Sequence, residues 1–342
     1  MNRPSQEPAS RADDAAPLEP EEFRRLAAAV HDAVSTAIVG QEEAVRGVLI
    51  CLIAGGHALL EGVPGLGKTS LVRAFARALD LRFGRIQFTP DLMPTDITGG
   101  TVLADDVAGR HTLTFQPGPV FANLVLADEI NRATPKTQSA LLEAMQEGTV
   151  TTGTRSRPLP SPFCVLATQN PIEMQGTYPL PEAQLDRFLF KLHFAFPALD
   201  ELDAIVYRTA EHSDPPSRQV ADAAALLRMN ALAHTVPMAR HVVDYAGRII
   251  LALQPQAADA PENIRRYVRL GPSPRGAQAL CLAGRIAALL DGRYALSYSD
   301  IRAVARPALR HRIGLSFEAE RQSMSSDTVV DEVLARTPEE PS

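Results

Sequence analysis

Two short segments of this chain combine residue types that handle phosphate. In the run Gly62, Val63, Pro64, Gly65, Leu66, Gly67, Lys68, Thr69, Ser70, glycines alternate with small residues and are followed at once by a lysine and two hydroxyls. The pattern G-x-x-x-x-G-K-[ST] between a strand and a helix lets backbone N–H groups turn inward around phosphate oxygens, aided by the positive end of the helix dipole. Gly62, Pro64, Gly65, Leu66, Gly67 and Ser70 are therefore read as lining a nucleotide phosphate site. Lys68 would reach the β- and γ-phosphates, and the Thr69 hydroxyl would ligate Mg²⁺. Lysine occurs only at 68, 136 and 191, every other cation being arginine, so a lysine at this place stands out.

The second segment, NLVLADE (123–129), puts Asp128 and Glu129 at the exit of an apolar strand. Asp128 would hold Mg²⁺, mostly through water, because that ion sheds its hydration shell reluctantly. Glu129 would orient and deprotonate an attacking water. Two adjacent carboxylates favour hydrolysis over phosphoryl transfer to a small acceptor. Asn170, closing LATQN, would hold the water from the opposite side, although an Asn-Pro pair is also an ordinary turn signal. Arg187, in LDRF, stands at a helix end before another strand, where such an arginine projects into a neighbouring subunit's nucleotide. A salt bridge with Asp186, or a charge at the sheet edge, is its plainer role. Arg275, in GPSPR, opens a helix and could reach the γ-phosphate from above. Together the two arginines would put ATP between subunits and between domains.

These side chains need a scaffold that gathers loop ends. From Glu21 to Ala37 apolar residues recur at Phe23, Leu26, Val30, Val34 and Ala37, a helical spacing opened by acids that suit the dipole. A second helix is predicted from about Glu42 to Ala54. Strands follow over 57–62, 85–89, 123–129, 163–170 and 187–194, with helices over 69–79 and 135–148. Thr134 is the N-cap of the latter, Pro135 its first residue, and Gly148 lies past its end. Alternating strands and helices predict an α/β fold, a P-loop NTPase parallel sheet with helices on both faces. Ligands sit at the C-terminal ends of such strands, where every motif above falls. From Leu199 onward the pattern is helical. The predicted division is a disordered segment over 1–18, a nucleotide-binding domain over 19–197, an all-helical lid domain over 198–317, and a polar, frayed tail over 318–342. Residues 98–119 read as a hairpin with DDVAGR as its tip, a plain surface loop being the alternative.

At 342 residues, 45% hydrophobic and 22% charged, the chain suits two soluble globular domains. Its longest apolar run, Val48 to Leu60, is broken by Gly55, Gly56 and His57 and is shorter than the roughly 20 residues of a membrane span. The polar opening stretch is no secretory signal, so a cytoplasmic protein without a membrane span is expected. Cys51, Cys164 and Cys281 are far apart in apolar settings, which predicts buried packing residues and neither disulfides nor a zinc site. A net charge of −6 gives no overall field toward nucleic acid, although basic residues clustered in the second half leave a local groove open.

With these segments in place, the chain resembles the MoxR branch of the AAA+ ATPases from about residue 20 to 320. The marks are VGQEE (39–43), GVPGLGKT, RIQFTPDLMPTDITGG (85–100), FQPGPVF (115–121), LADEINRATPKTQSALLEAMQEGTVT, LATQNP and YPLPEAQLDRF, with LADEINRA highly specific. The resemblance implies Lys68 and Thr69 in Walker A, Asp128 and Glu129 in Walker B, Asn170 as sensor 1, Arg187 as arginine finger and Arg275 as sensor 2. It also implies that Val39, Gly40 and Gln41 line an adenine pocket. MoxR proteins are similar in forming rings, usually hexamers, of chaperone-like ATPases that use ATP and Mg²⁺. They act with partners bearing von Willebrand factor A domains, often on metal- or cofactor-dependent enzymes, and the hairpin would sit near the ring pore.

Rival functions differ in class. An activase or insertion subunit resembling the Rubisco-activating or gas-vesicle ATPases shares every motif, and only its partner distinguishes it. A nucleic-acid motor is disfavoured by the acidic balance and by the absence of a recognisable winged-helix or zinc module. A σ54-type activator lacks its GAFTGA-like loop here. A small-molecule kinase would not need the Asp128–Glu129 pair, and a scaffold without turnover would not need every catalytic position filled.

Overall fold

The computed structural model describes residues 18–105, 111–170, 176–210, 218–257 and 260–339. The disorder expected over 1–18 lies outside them except at Leu18, which is buried. The chain opens with helices α1 (Pro20–Ala37) and α2 (Glu42–Ala54), then β1 (Ala58–Glu61) and α3 (Lys68–Ala78). Next come β2 (Phe83–Gln87), the short helix α4 (Pro94–Thr98), and a hairpin of β3 (Gly99–Asp105) and β4 (His111–Pro117). Then follow β5 (Leu124–Asp128), α5 (Pro135–Glu147), a second hairpin of β6 (Thr149–Thr152) and β7 (Arg155–Pro158), β8 (Cys164–Gln169), α6 (Glu182–Leu185) and β9 (Phe190–His193).

Five strands form one parallel sheet in the order β2-β5-β8-β1-β9. Their side chains alternate between two cores. Leu59, Val125, Val165 and Ala167 pack with Ile97 of α4 and Leu141, Leu142 and Met145 of α5. Leu60, Leu124, Leu126 and Leu166 face the other way, against α1, α2 and α3. Burial on both faces explains why these strands read as continuous apolar runs, and it leaves only their ends free for polar chemistry. α2 is buried on nearly all sides, from Ala44 to Ala54 apart from Arg46, as a helix sandwiched between sheet and further helices must be.

Those helices are α7 (Leu199–Ala210), α8 (Ala223–Thr235), α9 (Arg240–Ala252), α10 (Glu262–Tyr267), α11 (Pro274–Leu290), α12 (Tyr298–Leu309), α13 (Phe317–Arg321) and α14 (Ser326–Arg336). A small antiparallel ribbon pairs β10 (Val268–Leu270) with β11 (Gly314–Leu315). α11 packs on α1 and α2, so one continuous buried cluster joins the helical half to the sheet.

The polar tail expected over 318–342 is instead structured through Arg336. Val329, Val330, Val333 and Leu334 of α14 are buried against α9 and α12. Its acids, which made the segment read as solvated, face outward and pair, Asp331 with Arg306 and Asp327 with Arg310. A one-sided apolar stripe was hidden by the mean polarity of the segment. The hairpin over 98–119 is present, whereas its tip after Asp105 lies outside the described residues. The β6–β7 hairpin adds two strands to those predicted. Arg157 of β7 stacks 3.9 Å above the Phe115 ring of β4, tying the two hairpins together. Cys51 and Cys164 are buried free thiols, while Cys281 is only partly covered.

His57, just before β1, is buried between sheet and α5. Its Nδ1 accepts from the Val165 N–H at 3.0 Å, which leaves Nε2 to donate to Met145 O at 3.1 Å. Burial, opposed by the Met145 hydrogen bond, pushes its pKa down to about 4. The unfolded residue protonates near 6.5, so the stability of the neutral ring is complete above that pH and is lost as pH falls toward 4. At pH 5 the loss is about 2 kcal/mol from this residue. Urea denaturation at pH 7 and pH 5 should show it as a lower midpoint at pH 5; equal midpoints would contradict the assignment.

Candidate functional site

A cavity of about 440 Å³ opens at the C-terminal ends of β1, β5 and β8. The structure brings Gly62, Pro64, Gly65, Gly67, Lys68, Thr69, Ser70, Asp128, Glu129 and Asn170 together around it. Gly65 and Gly67 adopt φ values of 87° and 82°, a region that side chains disfavour, and this turns the loop over the start of α3. The Leu66 side chain leaves the cavity to pack on the core. Lys68 Nζ donates to Gly62 O at 2.6 Å and Val63 O at 3.0 Å. Burial lowers the Lys68 pKa, and the Asp128 and Glu129 carboxylates work against that shift. Thr69 and Asp128 supply hydroxyl and carboxylate oxygens to one cavity, the hard donors Mg²⁺ takes.

The carboxylates are held by residues that the sequence did not single out. Thr168, 1% exposed near the end of β8, donates to Asp128 Oδ1 at 2.7 Å and accepts the Glu129 N–H at 2.8 Å. Glu129 adopts φ 56°, an uncommon left-handed conformation for such a residue, and the Thr168 hydroxyl is the contact that pins its N–H. Arg85 Nη2 reaches Asp128 Oδ2 at 2.7 Å, and Gln87 Nε2 reaches Glu129 Oε2 at 2.9 Å. Arg132 Nε lies 3.3 Å from that same oxygen. Arg85 and Gln87 alternate on β2, whose register sets Gln87 opposite Asp128; the signal was visible only once β2 was known to neighbour β5. The Thr168 signal was a hydroxyl ending an otherwise apolar strand.

Thr168→Val keeps the shape but leaves the Glu129 N–H and Asp128 Oδ1 without this partner, an effect worth about 1–3 kcal/mol. We expect turnover of the variant to fall by about 10- to 100-fold with little change in nucleotide affinity, read by steady-state phosphate release and nucleotide titration. Wild-type turnover would remove Thr168 from the site.

Glu61, the last residue of β1, meets Lys191 at 2.8 Å and His193 at 3.1 Å on β9. Although burial works to raise it, the contacts with His193 and Lys191 pull the Glu61 pKa down to about 2. This cluster fastens the strand that launches the phosphate loop to the edge of the sheet.

Val39, Gly40 and Gln41 do not line the cavity. They form a turn before α2 with left-handed Gly40 and Gln41, and Gln41 Nε2 donates to Ala195 O at 2.7 Å. Arg187 and Arg275 also lie elsewhere, in a second cavity of about 320 Å³ with Asp186 and Arg312. Arg187 Nη1 donates to Leu142 O at 2.8 Å, while its buried Nε has no partner. The carboxylate of Asp186 is taken by Arg312 at 2.9 Å, so the plainer Asp186–Arg187 pairing gives way to a longer-range one. Arg275, half exposed, stands 3.9 Å from Asp186.

Residues 57–190 match the family described as ATPase family associated with various cellular activities (AAA), and residues 261–333 match an AAA lid domain. The chain is 43% identical over 315 residues to Chaperone MoxR1 of Mycobacterium tuberculosis, covering 90% of this chain and 82% of that protein. It is 34% identical over 325 residues to Protein MoxR of Paracoccus denitrificans, covering 90% and 94%. A crystal structure of a protein from Cytophaga hutchinsonii superposes with a TM-score of 0.87 at 37% identity, covering 93% of this chain and 96% of that one.

Proposed function

Because this chain belongs to the MoxR family of AAA+ ATPases and hydrolyses ATP, we propose that it does so at sites shared between subunits of a ring and spends the cycle on remodelling client proteins. One observation carries the shared site. The cavity that gathers the phosphate loop, Asp128, Glu129 and Asn170 includes neither Arg187 nor Arg275, and those two arginines line a different cavity together. Cations set apart from their own chain's phosphate site are available to the phosphate of a different subunit, which supports the shared site.

In this reading the N–H groups of Gly62 to Ser70 cradle the phosphates, and Lys68 exchanges its carbonyl contacts for β- and γ-oxygens. Thr69 and Asp128 would hold Mg²⁺, which would supply positive charge to offset that of the phosphates. Glu129 takes a proton from the water that attacks the γ-phosphorus, Asn170 steadies that water, and the bond from phosphorus to the β–γ bridging oxygen breaks to leave ADP. Arg187 and Arg275 of one subunit meet the charge that develops on the next subunit's γ-phosphate. Val39, Gly40 and Gln41 flank the adenine, a role supported by their place beside the end of β9. Residues 19–197 act as the nucleotide-binding domain, with the helices from Leu199 through Arg336 as its lid, a reading that the packing of α14 on α9 and α12 supports.

The family likeness further supports a hexamer and a partner with a von Willebrand factor A domain. A net charge of −6 supports a protein client over nucleic acid, and the absence among the described residues of a helix long and apolar enough to cross a membrane is compatible with work in the cytoplasm. The test is phosphate release per subunit across a wide range of protein concentration with Mg²⁺ present. Specific activity is expected to rise and then level off as rings assemble. Flat specific activity down to the monomer would sink the shared site.

A further inference from the structure

We propose that Arg312 is a positioning residue that holds Arg187 and Arg275 as one unit aimed at the neighbouring subunit's γ-phosphate. This rests on the shared-site reading above. Arg312 follows α12 and is almost wholly buried, with 3% of its side chain exposed. A guanidinium carries five N–H donors in a planar fork, and here each of them meets an oxygen. Nε donates to Asp186 Oδ1 at 2.9 Å. Nη2 donates to Asp186 O at 3.1 Å and Phe188 O at 2.8 Å. Nη1 donates to Leu189 O at 3.2 Å and to Ala308 O, and it also lies 2.9 Å from His311 Nε2. Three of these carbonyls belong to residues 186, 188 and 189, so the fork grips the backbone on both sides of Arg187.

The same carboxylate extends the grip to the lid. Asp186 Oδ2 accepts from Ser273 Oγ at 2.8 Å, and Ser273 Oγ in turn accepts the Arg275 N–H at 3.1 Å as the N-cap of α11. Asp186 Oδ2 also lies 3.9 Å from Arg275 Nη1. Arg312 therefore fixes one carboxylate from which both arginines are referenced, one through the chain and one through the start of a helix. A buried, fully bonded ion is an expensive way to glue two layers that already share an apolar core. Its return is geometric, because five directed bonds define where the finger segment sits. Lysine, a point charge without the fork, cannot reproduce them.

Arg312 does not line the phosphate-loop cavity, so a subunit altered there should still bind ATP and should fail only as a donor of arginines. The test uses the full chain as Arg312→Lys, alone and in equal mixtures with Lys68→Ala or Arg187→Ala. Alone, the variant is expected to bind ATP as wild type and to lose turnover by about 10²-fold, the size expected when a catalytic group is displaced by about an ångström. Mixing with Lys68→Ala, whose arginines are intact, should restore turnover, as it should for Arg187→Ala. Mixing with Arg187→Ala should restore none. Turnover regained with Arg187→Ala, or none regained with Lys68→Ala where Arg187→Ala does regain it, overturns the proposal. If Arg187→Ala itself gains nothing from Lys68→Ala, the shared site fails and the proposal with it. Should Arg312→Lys melt without cooperativity, Ser273→Ala, which deletes only the hydroxyl between Asp186 and Arg275, goes through the same mixtures. It is expected to show the pattern in milder form, and wild-type turnover would count against the link.

Discussion

Glu129→Gln is expected to bind ATP as tightly as wild type and to release phosphate about 10²- to 10⁴-fold more slowly, the range for loss of a positioned general base. The amide is nearly the same size and can still accept from Gln87 Nε2, which now meets Glu129 Oε2 at 2.9 Å. The backbone constraint at φ 56° and the Thr168 contact to the Glu129 N–H do not involve the side chain, so the loop keeps its shape. What disappears is the proton affinity of the carboxylate. The lost attraction to Arg132, at 3.3 Å and partly exposed, is worth less than about 1 kcal/mol and leaves the fold untouched. Nucleotide titration together with single-turnover phosphate release separates binding from chemistry. Weakened binding with an unchanged rate constant for the bound ATP would show that Glu129 grips nucleotide and does not act as the base.

On the proposed shared site, Arg187→Ala should be the second severe lesion, lowering turnover by about 10³-fold or more, the size of effect known for arginines that meet a transferring phosphoryl group from outside. Its local cost is small. The change leaves Leu142 O without its 2.8 Å donor, about 1 kcal/mol, and removes an Nε that is already buried without a partner. The variant should therefore melt close to wild type while its ATPase is nearly extinguished. A loss of stability that tracks the loss of activity would reduce Arg187 to a structural tie between α5 and the segment before β9.

Legibility from sequence followed how local each feature is. α2 is found at Glu42–Ala54 as predicted, and β1, β5 and β8 differ from the expected runs only at their ends, because apolar period and a glycine or proline stop are properties of adjacent residues. α5 begins at Pro135 and ends before left-handed Gly148 for the same reason. The β6–β7 hairpin was missed because TVTTGTRSRP carries no apolar alternation; its β-branched residues around Gly153 were the available sign. α14 was missed because Val329, Val330, Val333 and Leu334 are few among acids that turn outward to Arg306 and Arg310.

The candidate site divides along the same line. Gly62 to Ser70 and Asp128 with Glu129 are contiguous, since a phosphate cradle is built from the N–H groups of one loop and the carboxylates leave one strand end together. Residue chemistry at short spacing was enough to point to nucleotide hydrolysis and, with the longer motifs, to a family. Thr168, Arg85 and Gln87 act on those carboxylates only because β8 and β2 flank β5, and strand order is decided by how the sheet buries both faces. Arg312 and Asp186 are 126 residues apart in the chain, and nothing in either neighbourhood announces the other. Where Arg187 and Arg275 stand relative to the phosphate loop was likewise settled by packing, since the helices carrying the lid share their core with α1 and α2. Short-range chemistry could thus be read from residue order, whereas long-range placement had to wait for the burial of apolar faces that brings distant charges into one cavity.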